Sequence, residues 1–216
     1  MCLGLLALEV RIIFLGAKTL SSLTPARFLT IGYLIVIMVG TILLSTSLAT
    51  TSEQGLSLVD SFFTSTSATA VTGLIVVNTA KDLSLFGQLV VLVLIQIGGL
   101  GLMSMSTLVA LLLGRRITFR QRIIISKDLN HFNMANILKL VKYVVILTLG
   151  IEAVGAALLF IKFYFFFSLK RAAYYAVFHS ISAFCNAGFD VFGNSLENFT
   201  GDIYINLVIA ALFIIG

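Results

Sequence analysis

Two segments of the sequence combine short hydroxyl side chains with a glycine at matching positions, 115 residues apart. Residues 61–74 read SFFTSTSATAVTGL and residues 176–189 read AVFHSISAFCNAGF, with five identities in an ungapped alignment. The shared glycines are Gly73 and Gly188, and each segment lies between two long apolar stretches. A chain that turns at such a glycine can present several backbone carbonyl oxygens to one side. That is the chemistry by which proteins coordinate cations.

The elements that position these glycines are predicted to be short helices. A helix over residues 56–69 would be about 20 Å long, too short to cross a hydrocarbon core of about 30 Å. It can enter a membrane only part-way and must return through non-helical backbone, whose polar groups need protein, water or an ion beside them. Glycine supplies the backbone dihedral angles for this return. Because the C-terminal end of each helix carries a partial negative charge, the pattern favours a cation.

The composition excludes an ordinary soluble domain, since 59% of the residues are hydrophobic and 11% are charged. About 20 apolar residues suffice for a membrane helix. Apolar stretches of that length occupy residues 27–48, 83–114 and 143–161, and a fourth begins at residue 203 and is still apolar at Gly216. We predict an all-α membrane protein built from repeated units around a central pore. Each unit consists of a span, a re-entrant pore helix and a second span.

The net charge of +5 is concentrated in one place. Seven of the fourteen basic residues lie between residues 115 and 142: Arg115, Arg116, Arg120, Arg122, Lys127, Lys139 and Lys142. Basic loops remain on the cytoplasmic side of membrane proteins, so this linker and the N-terminus are predicted to be cytoplasmic and residues 49–82 external. Lys162, Lys170 and Arg171 oppose this pattern. We interpret the basic linker as a topology signal and expect no nucleic-acid partner.

These patterns divide the chain into four parts. Residues 1–26 form a cytoplasmic or interfacial N-terminus, and residues 27–113 form a first repeat. Residues 114–142 form the basic linker, and residues 143–216 form a second repeat that is truncated in its last span. A constant offset of 115 pairs Gly216 with Gly101.

Several motifs in these repeats resemble one known family. The runs TSATAVTGLIVV, SLFGQLVVLVLIQIGGLGLM and FHSISAFCNAGFD are similar to those of the Trk/Ktr/HKT superfamily of potassium transporters. The similarity is greatest to KtrB, the membrane subunits of bacterial Ktr uptake systems, and extends from Leu23 onward. The resemblance implies four repeats around one pore, of which this chain would hold about two. It also implies K+ ligands in the two loops: Val71, Thr72, Gly73, Asn186, Ala187 and Gly188.

The resemblance also implies a function and partners. The expected function is potassium translocation across the plasma membrane, with no covalent chemistry and no covalently bound cofactor. A homodimer would rest on a cytosolic, nucleotide-binding regulatory ring similar to KtrA, and ATP or ADP would act only on that ring. Two alternatives stay open. One is a sodium-selective or non-selective cation carrier of the same fold, which a serine in place of Gly73 would favour within the superfamily. The other is a scaffold subunit that conducts nothing.

Several other polar residues have competing interpretations. We expect Thr66 and Thr69 to bond back to the preceding helical turn, as hydroxyl residues do in membrane helices. His179 is interpreted as a packing residue rather than a proton relay. Glu152 either bonds to a neighbouring helix or takes part in transport. Asn186 either braces its own loop or faces the pore.

Two apolar motifs also carry predictions. Residues 98–101, GGLG, are expected to let helices approach closely, with a flexible point in the helix as the alternative. The Phe-rich run at residues 160–167 is predicted to face lipid or the membrane interface.

Overall fold

The computed structural model describes residues 25–52, 54–112 and 134–216. Throughout those ranges regular secondary structure is helical and no β-strand occurs, which confirms the all-α class. The six α-helices are α1 (Pro25–Leu44), α2 (Leu58–Thr69), α3 (Leu85–Leu112), α4 (Met134–Phe163), α5 (Leu169–Phe184) and α6 (Ile203–Ile215). Two 3₁₀ turns, Ser47–Ala49 and Glu197–Phe199, lie in the connections.

Local chemistry explains several helix boundaries. Helix α1 begins at Pro25, whose fixed φ angle suits the first helical position. Helix α2 begins after Ser57, whose hydroxyl accepts a hydrogen bond from the Asp60 amide at 3.1 Å. Helix α6 begins after Asp202, whose carboxylate accepts from the amides of Tyr204 and Ile205.

The helix bounds differ from those of the apolar stretches in the sequence. The first span ends at Leu44, before the predicted end at residue 48. Helix α4 begins at Met134, so the last part of the predicted linker is helical. Helix α5 begins at Leu169 and is 16 residues long, about 24 Å, which remains shorter than the hydrocarbon core.

The two short helices occupy equivalent places. Helix α2 packs against α1 and α3, and α5 packs against α4 and α6. Helix α3 also contacts α4 and α5, so it joins the first three helices to the last three.

One helix in the described residues, Lys142–Phe163, is long and apolar enough to cross a membrane. Its apolar window is 22% buried within the chain, so most of that surface is left for lipid or for other protein. Three shorter apolar helices accompany it: Thr30–Leu44, Leu85–Gly101 and Ile203–Ile215.

The GGLG motif brings α3 close to three different elements. A Cβ atom on Gly98 would collide with the backbone carbonyl of Thr69, at the end of α2. A Cβ on Gly99 would lie 2.6 Å from the Cys185 sulfur, and one on Gly101 would lie 2.6 Å from the Tyr33 hydroxyl. The Tyr33 hydroxyl in turn donates to the Gly98 carbonyl at 3.0 Å. The close-approach interpretation of this motif is therefore confirmed.

The same contact corrects the pairing of Gly216. A Cβ on Gly216 would collide with the carbonyl of Phe184, the last residue of α5, just as one on Gly98 would collide with that of Thr69. Gly216 therefore corresponds to Gly98 and not to Gly101. The connection before α6 is three residues longer than the one before α3, which a constant offset could not detect.

The Phe-rich run does not form one continuous lipid-facing belt. Phe163 is completely buried, and its ring contacts those of Phe192 and Phe199 at centroid distances of 5.4 and 5.5 Å. Of the phenylalanines in this run, Phe165 and Phe166 are largely exposed, at 78% and 58%. The prediction was wrong for the buried part because three aromatic side chains of separate segments meet there.

Lys162, which opposed the charge pattern, has a local partner. Its ammonium group lies 3.0 Å from the Asp202 carboxylate at the start of α6. The hydrogen bond from Lys162 and the amides that Asp202 caps hold the pKa of this carboxyl below its usual range. The basic residue thus joins α4 to α6.

Gly98→Ala should destabilise the protein because the new methyl group meets a backbone carbonyl, which cannot move aside like a flexible side chain. We expect a loss of about 1–3 kcal/mol, the usual cost of overpacking. Gly32→Ala is the matched control, since a Cβ on that helical glycine has nothing within 4 Å. Thermal unfolding in detergent should show a lower midpoint for Gly98→Ala alone, and equal midpoints would contradict the contact.

Candidate ion-binding loops

Helices α2 and α5 end in the same hydrogen-bonded turn, a Schellman motif. After α2, the Val71 amide donates to the Ala68 carbonyl at 3.3 Å and the Thr72 amide to the Ser67 carbonyl at 3.0 Å. After α5, the Asn186 amide donates to Ala183 and the Ala187 amide to Ser182, at 3.0 and 2.8 Å. Each bond has its counterpart 115 residues later. We call residues 70–75 loop 1 and residues 186–190 loop 2.

Both loops alternate in backbone conformation. Val71 and Asn186 have φ angles of 56° and 59°, and Gly73 and Gly188 have φ angles of 73° and 69°. The glycines adopt this left-handed region freely, as predicted. Val71 does not, because a β-branched residue there is a genuine outlier. Such strain persists only where the surrounding structure enforces it, and it is concentrated at functional sites.

The two loops lie directly against each other. A Cβ atom on Gly73 would be 3.4 Å from the Gly188 Cα, and a Cβ on Gly188 would be 3.4 Å from the Gly73 Cα. The Cβ on Gly73 would also be 2.7 Å from the Ala187 carbonyl oxygen. The structure therefore brings together the two glycines that the repeated motif identified, and a side chain at position 73 would push the loops apart.

Three carbonyl groups in each loop have no hydrogen-bond donor among the residues that the structure describes. Within the described parts of the chain, no hydrogen bond reaches the carbonyl oxygens of the six predicted ligand residues: Val71, Thr72, Gly73, Asn186, Ala187 and Gly188. Each set follows the C-terminal end of a helix, where the aligned peptide dipoles place a partial negative charge. The two groups of carbonyls follow two helix C-termini whose loops meet at Gly73 and Gly188, an arrangement that suits a cation.

Side-chain hydroxyls brace these loops. The Thr72 hydroxyl donates to the Ser67 hydroxyl at 3.0 Å, and the Ser182 hydroxyl donates to the Phe189 carbonyl at 2.6 Å. Asn186 is exposed, and the described residues provide no hydrogen-bond partner for its side chain. Bracing by Asn186 is therefore not found.

Among the other hydroxyls of α2, Thr66 bonds back to the Phe62 carbonyl at 2.7 Å, as predicted. Thr69 does not: its hydroxyl is buried and finds no partner among the residues described. That prediction was wrong because the end of α2 packs tightly against α3.

The sequence of the chain matches a family of known proteins. Residues 9–216 match the TrkH family, described as cation transport proteins. The chain belongs to the TrkH family. Because the match covers nearly the whole sequence, the predicted resemblance is confirmed, and family membership places the protein in a membrane.

Two relatives of this TrkH-family chain are named potassium uptake proteins, and a third is named a potassium/sodium uptake protein. It is 39% identical to Ktr system potassium uptake protein B of Bacillus subtilis over 193 residues, which are 89% of the chain and 43% of that relative. It is 37% identical to the protein of the same name from Vibrio alginolyticus over 88% of the chain and 41% of the relative. It is 35% identical to potassium/sodium uptake protein NtpJ of Enterococcus hirae over 90% of the chain and 43% of the relative. The chain spans less than half the length of these relatives.

A polar bridge beside the loops was not foreseen from the sequence. The Asn78 side-chain amide donates to the Gly193 carbonyl at 2.9 Å and joins the segments that follow loop 1 and loop 2. Its oxygen accepts from the amides of Ala80 and Lys81. Asp190 orders the second segment, since one carboxylate oxygen accepts from three backbone amides: Phe192, Gly193 and Ser195. An asparagine beside turn residues is too common a pattern to predict this contact.

The structure defines the surroundings of His179 and Glu152, each of which had two competing interpretations. His179 stacks on Phe192 with ring centroids 4.3 Å apart, and its Nδ1 lies 2.7 Å from the Tyr175 carbonyl. These contacts support the packing interpretation. Glu152 bonds to Gln96 of helix α3, which supports the interpretation as a bond to a neighbouring helix.

Asn78→Asp tests the bridge between the two segments. Aspartate keeps an acceptor for the Ala80 and Lys81 amides but removes the donor to Gly193, so about 1 kcal/mol of stabilisation should be lost at this contact. Hydrogen exchange should become faster in residues 190–196. Thr51→Val, which removes a hydroxyl bonded to the Lys81 carbonyl instead, should not change exchange in that segment. Unchanged exchange in Asn78→Asp would contradict the bridge.

Proposed function

We propose that this protein translocates potassium ions through a selectivity filter made of backbone carbonyls. The observation that carries the proposal is the contact between loop 1 and loop 2, together with the six carbonyls of the predicted ligand residues, which have no partner among the described residues. Unpaired carbonyls at membrane depth cost several kcal/mol each unless an ion or water faces them. A dehydrated cation fulfils this requirement, because carbonyl oxygens replace its hydration shell.

In the proposed pore, the chain supplies two of four repeats around one pathway. Helices α2 and α5 are the pore helices, and the carbonyls of Val71, Thr72, Gly73, Asn186, Ala187 and Gly188 are the ligands on two sides. The pore helices direct their C-terminal dipoles at the ion. Each loop has a single glycine in the left-handed conformation, so one well-defined K+ site is expected. Ions pass down their electrochemical gradient.

The selectivity among cations has a specific alternative. One relative is named a potassium/sodium uptake protein. A carrier for both ions would use the same loops with weaker discrimination, and equal competition by sodium and potassium would identify it. Gly73 favours potassium, since the resemblance associates serine at this position with sodium transport.

The proposed setting follows from the charge pattern and from the relatives. We place the protein in the plasma membrane with several spans, a cytoplasmic N-terminus and the basic linker facing the cytosol. The names of two relatives refer to a Ktr system, which supports a multi-subunit assembly. We propose a homodimer on a cytosolic nucleotide-binding ring, where ATP or ADP would act. Most of the basic linker lies outside the described residues.

Gly188→Ser tests the filter directly. Reconstituted in liposomes as the full-length gene product with its regulatory partner, the native protein should take up rubidium, and potassium should compete far better than sodium. Serine at φ 69° introduces strain of about 1–2 kcal/mol in the loop, so the preference for potassium should fall by about tenfold.

Gly201→Ser is the matched control. A Cβ on Gly201 has nothing within 4 Å, and this glycine lies outside both loops. Its uptake and competition should equal those of the native protein. Equal loss in both variants, or unchanged selectivity in Gly188→Ser, would contradict the filter. Absence of flux in folded native protein would favour the scaffold alternative.

A further inference from the structure

A buried polar cluster lies beside loop 2. The Glu152 side chain in α4 is 4% exposed, and the Gln96 side-chain amide of α3 donates to its two carboxyl oxygens at 3.1 and 3.2 Å. The Cys185 thiol donates to the same carboxyl group at 3.8 Å. Cys185 is the C-cap of α5 and directly precedes Asn186 of loop 2. The cluster therefore connects a span of the first repeat, a span of the second repeat and the start of one loop.

The equivalent position in the first repeat shows which contacts depend on the Glu152 side chain and which depend on its backbone. The Ser180 hydroxyl donates to the Glu152 backbone carbonyl at 2.7 Å, and 115 residues earlier the Ser65 hydroxyl donates to the Ile37 carbonyl at 2.8 Å. The bond from the short helix to the outer span is thus common to both repeats. The hydrogen bonds of the Glu152 side chain have no counterpart in the first repeat. Apolar Ile37 takes the place of Glu152 there, and Ala70 takes the place of Cys185. The bridge is an addition specific to loop 2.

A carboxyl group in this position needs its hydrogen bonds. Burying a polar group without partners costs several kcal/mol on transfer scales. No basic side chain is within ion-pair distance of Glu152 among the residues described, where the recorded pair is Lys162 with Asp202. Gln96 and Cys185 are therefore the partners that the structure provides. The Gln96 oxygen is itself buried with no partner in those residues, so the amide is held there by the carboxyl group alone.

The packing of α3 reinforces the geometry. Gly99 follows Gln96 by three residues and so shares its helix face. A Cβ on Gly99 would lie 2.6 Å from the Cys185 sulfur. Helix α3 thus contacts Cys185 at the end of α5 directly through Gly99, and indirectly through the bonds from Gln96 to Glu152 and from Glu152 to Cys185. Movement of this helix would be transmitted to Asn186.

We propose that Glu152 and Gln96 are positioning residues that hold loop 2 through Cys185 and thereby set the ion selectivity of the pore. This inference rests on the proposed function for its effect on selectivity. The bridge acts by hydrogen bonding and packing, not by contact with the ion. A side chain of the same shape that keeps the bonds should therefore preserve its role.

Three variants of the full-length protein test this role. Glu152→Leu and Gln96→Leu remove the bridge while keeping similar bulk, and the preference for potassium over sodium in rubidium uptake should fall by roughly threefold to tenfold, the range of one hydrogen bond. Glu152→Gln can accept from the Gln96 amide and donate to its unpartnered oxygen, so its preference should remain near that of the native protein. Leu159→Ala removes a fully buried side chain from the same helix without touching the bridge. It should lower the melting temperature and leave the ion preference unchanged.

A second measurement does not depend on transport. In a Cys2→Ser background, maleimide labelling of Cys185 followed by mass spectrometry should be slow, because this thiol is buried. Labelling should accelerate in Glu152→Leu and Gln96→Leu but not in Glu152→Gln or Leu159→Ala. Unchanged labelling in the two leucine variants would overturn the bridge, whether or not rubidium uptake is seen. Faster labelling with unaltered ion selectivity would overturn the role of the bridge in ion selection. Absence of rubidium uptake by the native protein would separately refute the proposed function.

Discussion

The structure depends on one constraint: backbone that is not helical must find a partner when it lies within a membrane. Helices α2 and α5, of 12 and 16 residues, are too short to cross a membrane, so in the proposed pore the chain turns back after each of them. The Schellman turns satisfy several carbonyls of the last helical turn and leave the next ones free. In the proposed pore, those free carbonyls result from ending a helix inside the membrane, and a cation is the partner that suits them.

Contacts around the two loops join the parts of the chain that carry them. Gly73 and Gly188 lie against each other with no room for a side chain at position 73. Asn78 joins the segments that follow the loops, and Gln96 joins α3 to the end of α5 through Glu152. These contacts all connect the first repeat to the second. The left-handed φ of Val71 belongs to the Schellman turn that ends α2, since nothing in valine itself favours it.

The repeated motif was sufficient to predict the two short helices and the pairing of their glycines. It succeeded because helix length, apolar flanks and glycine are local signals. The left-handed conformation of Val71 was missed, since it follows from the turn geometry and opposes the preference of the residue. The Asn78 and Glu152 bridges were missed in detail because their partners are 115 and 56 residues away. The burial of Phe163 was missed because its partners, Phe192 and Phe199, belong to a later loop.

The most direct test of the central claim is the anomalous diffraction of rubidium in crystals of the full-length protein. A carbonyl filter predicts a rubidium peak between loop 1 and loop 2, within direct coordination distance of carbonyl oxygens from both. A peak coordinated only by side chains elsewhere, or loop carbonyls bonded to protein groups with no ion between them, would contradict it.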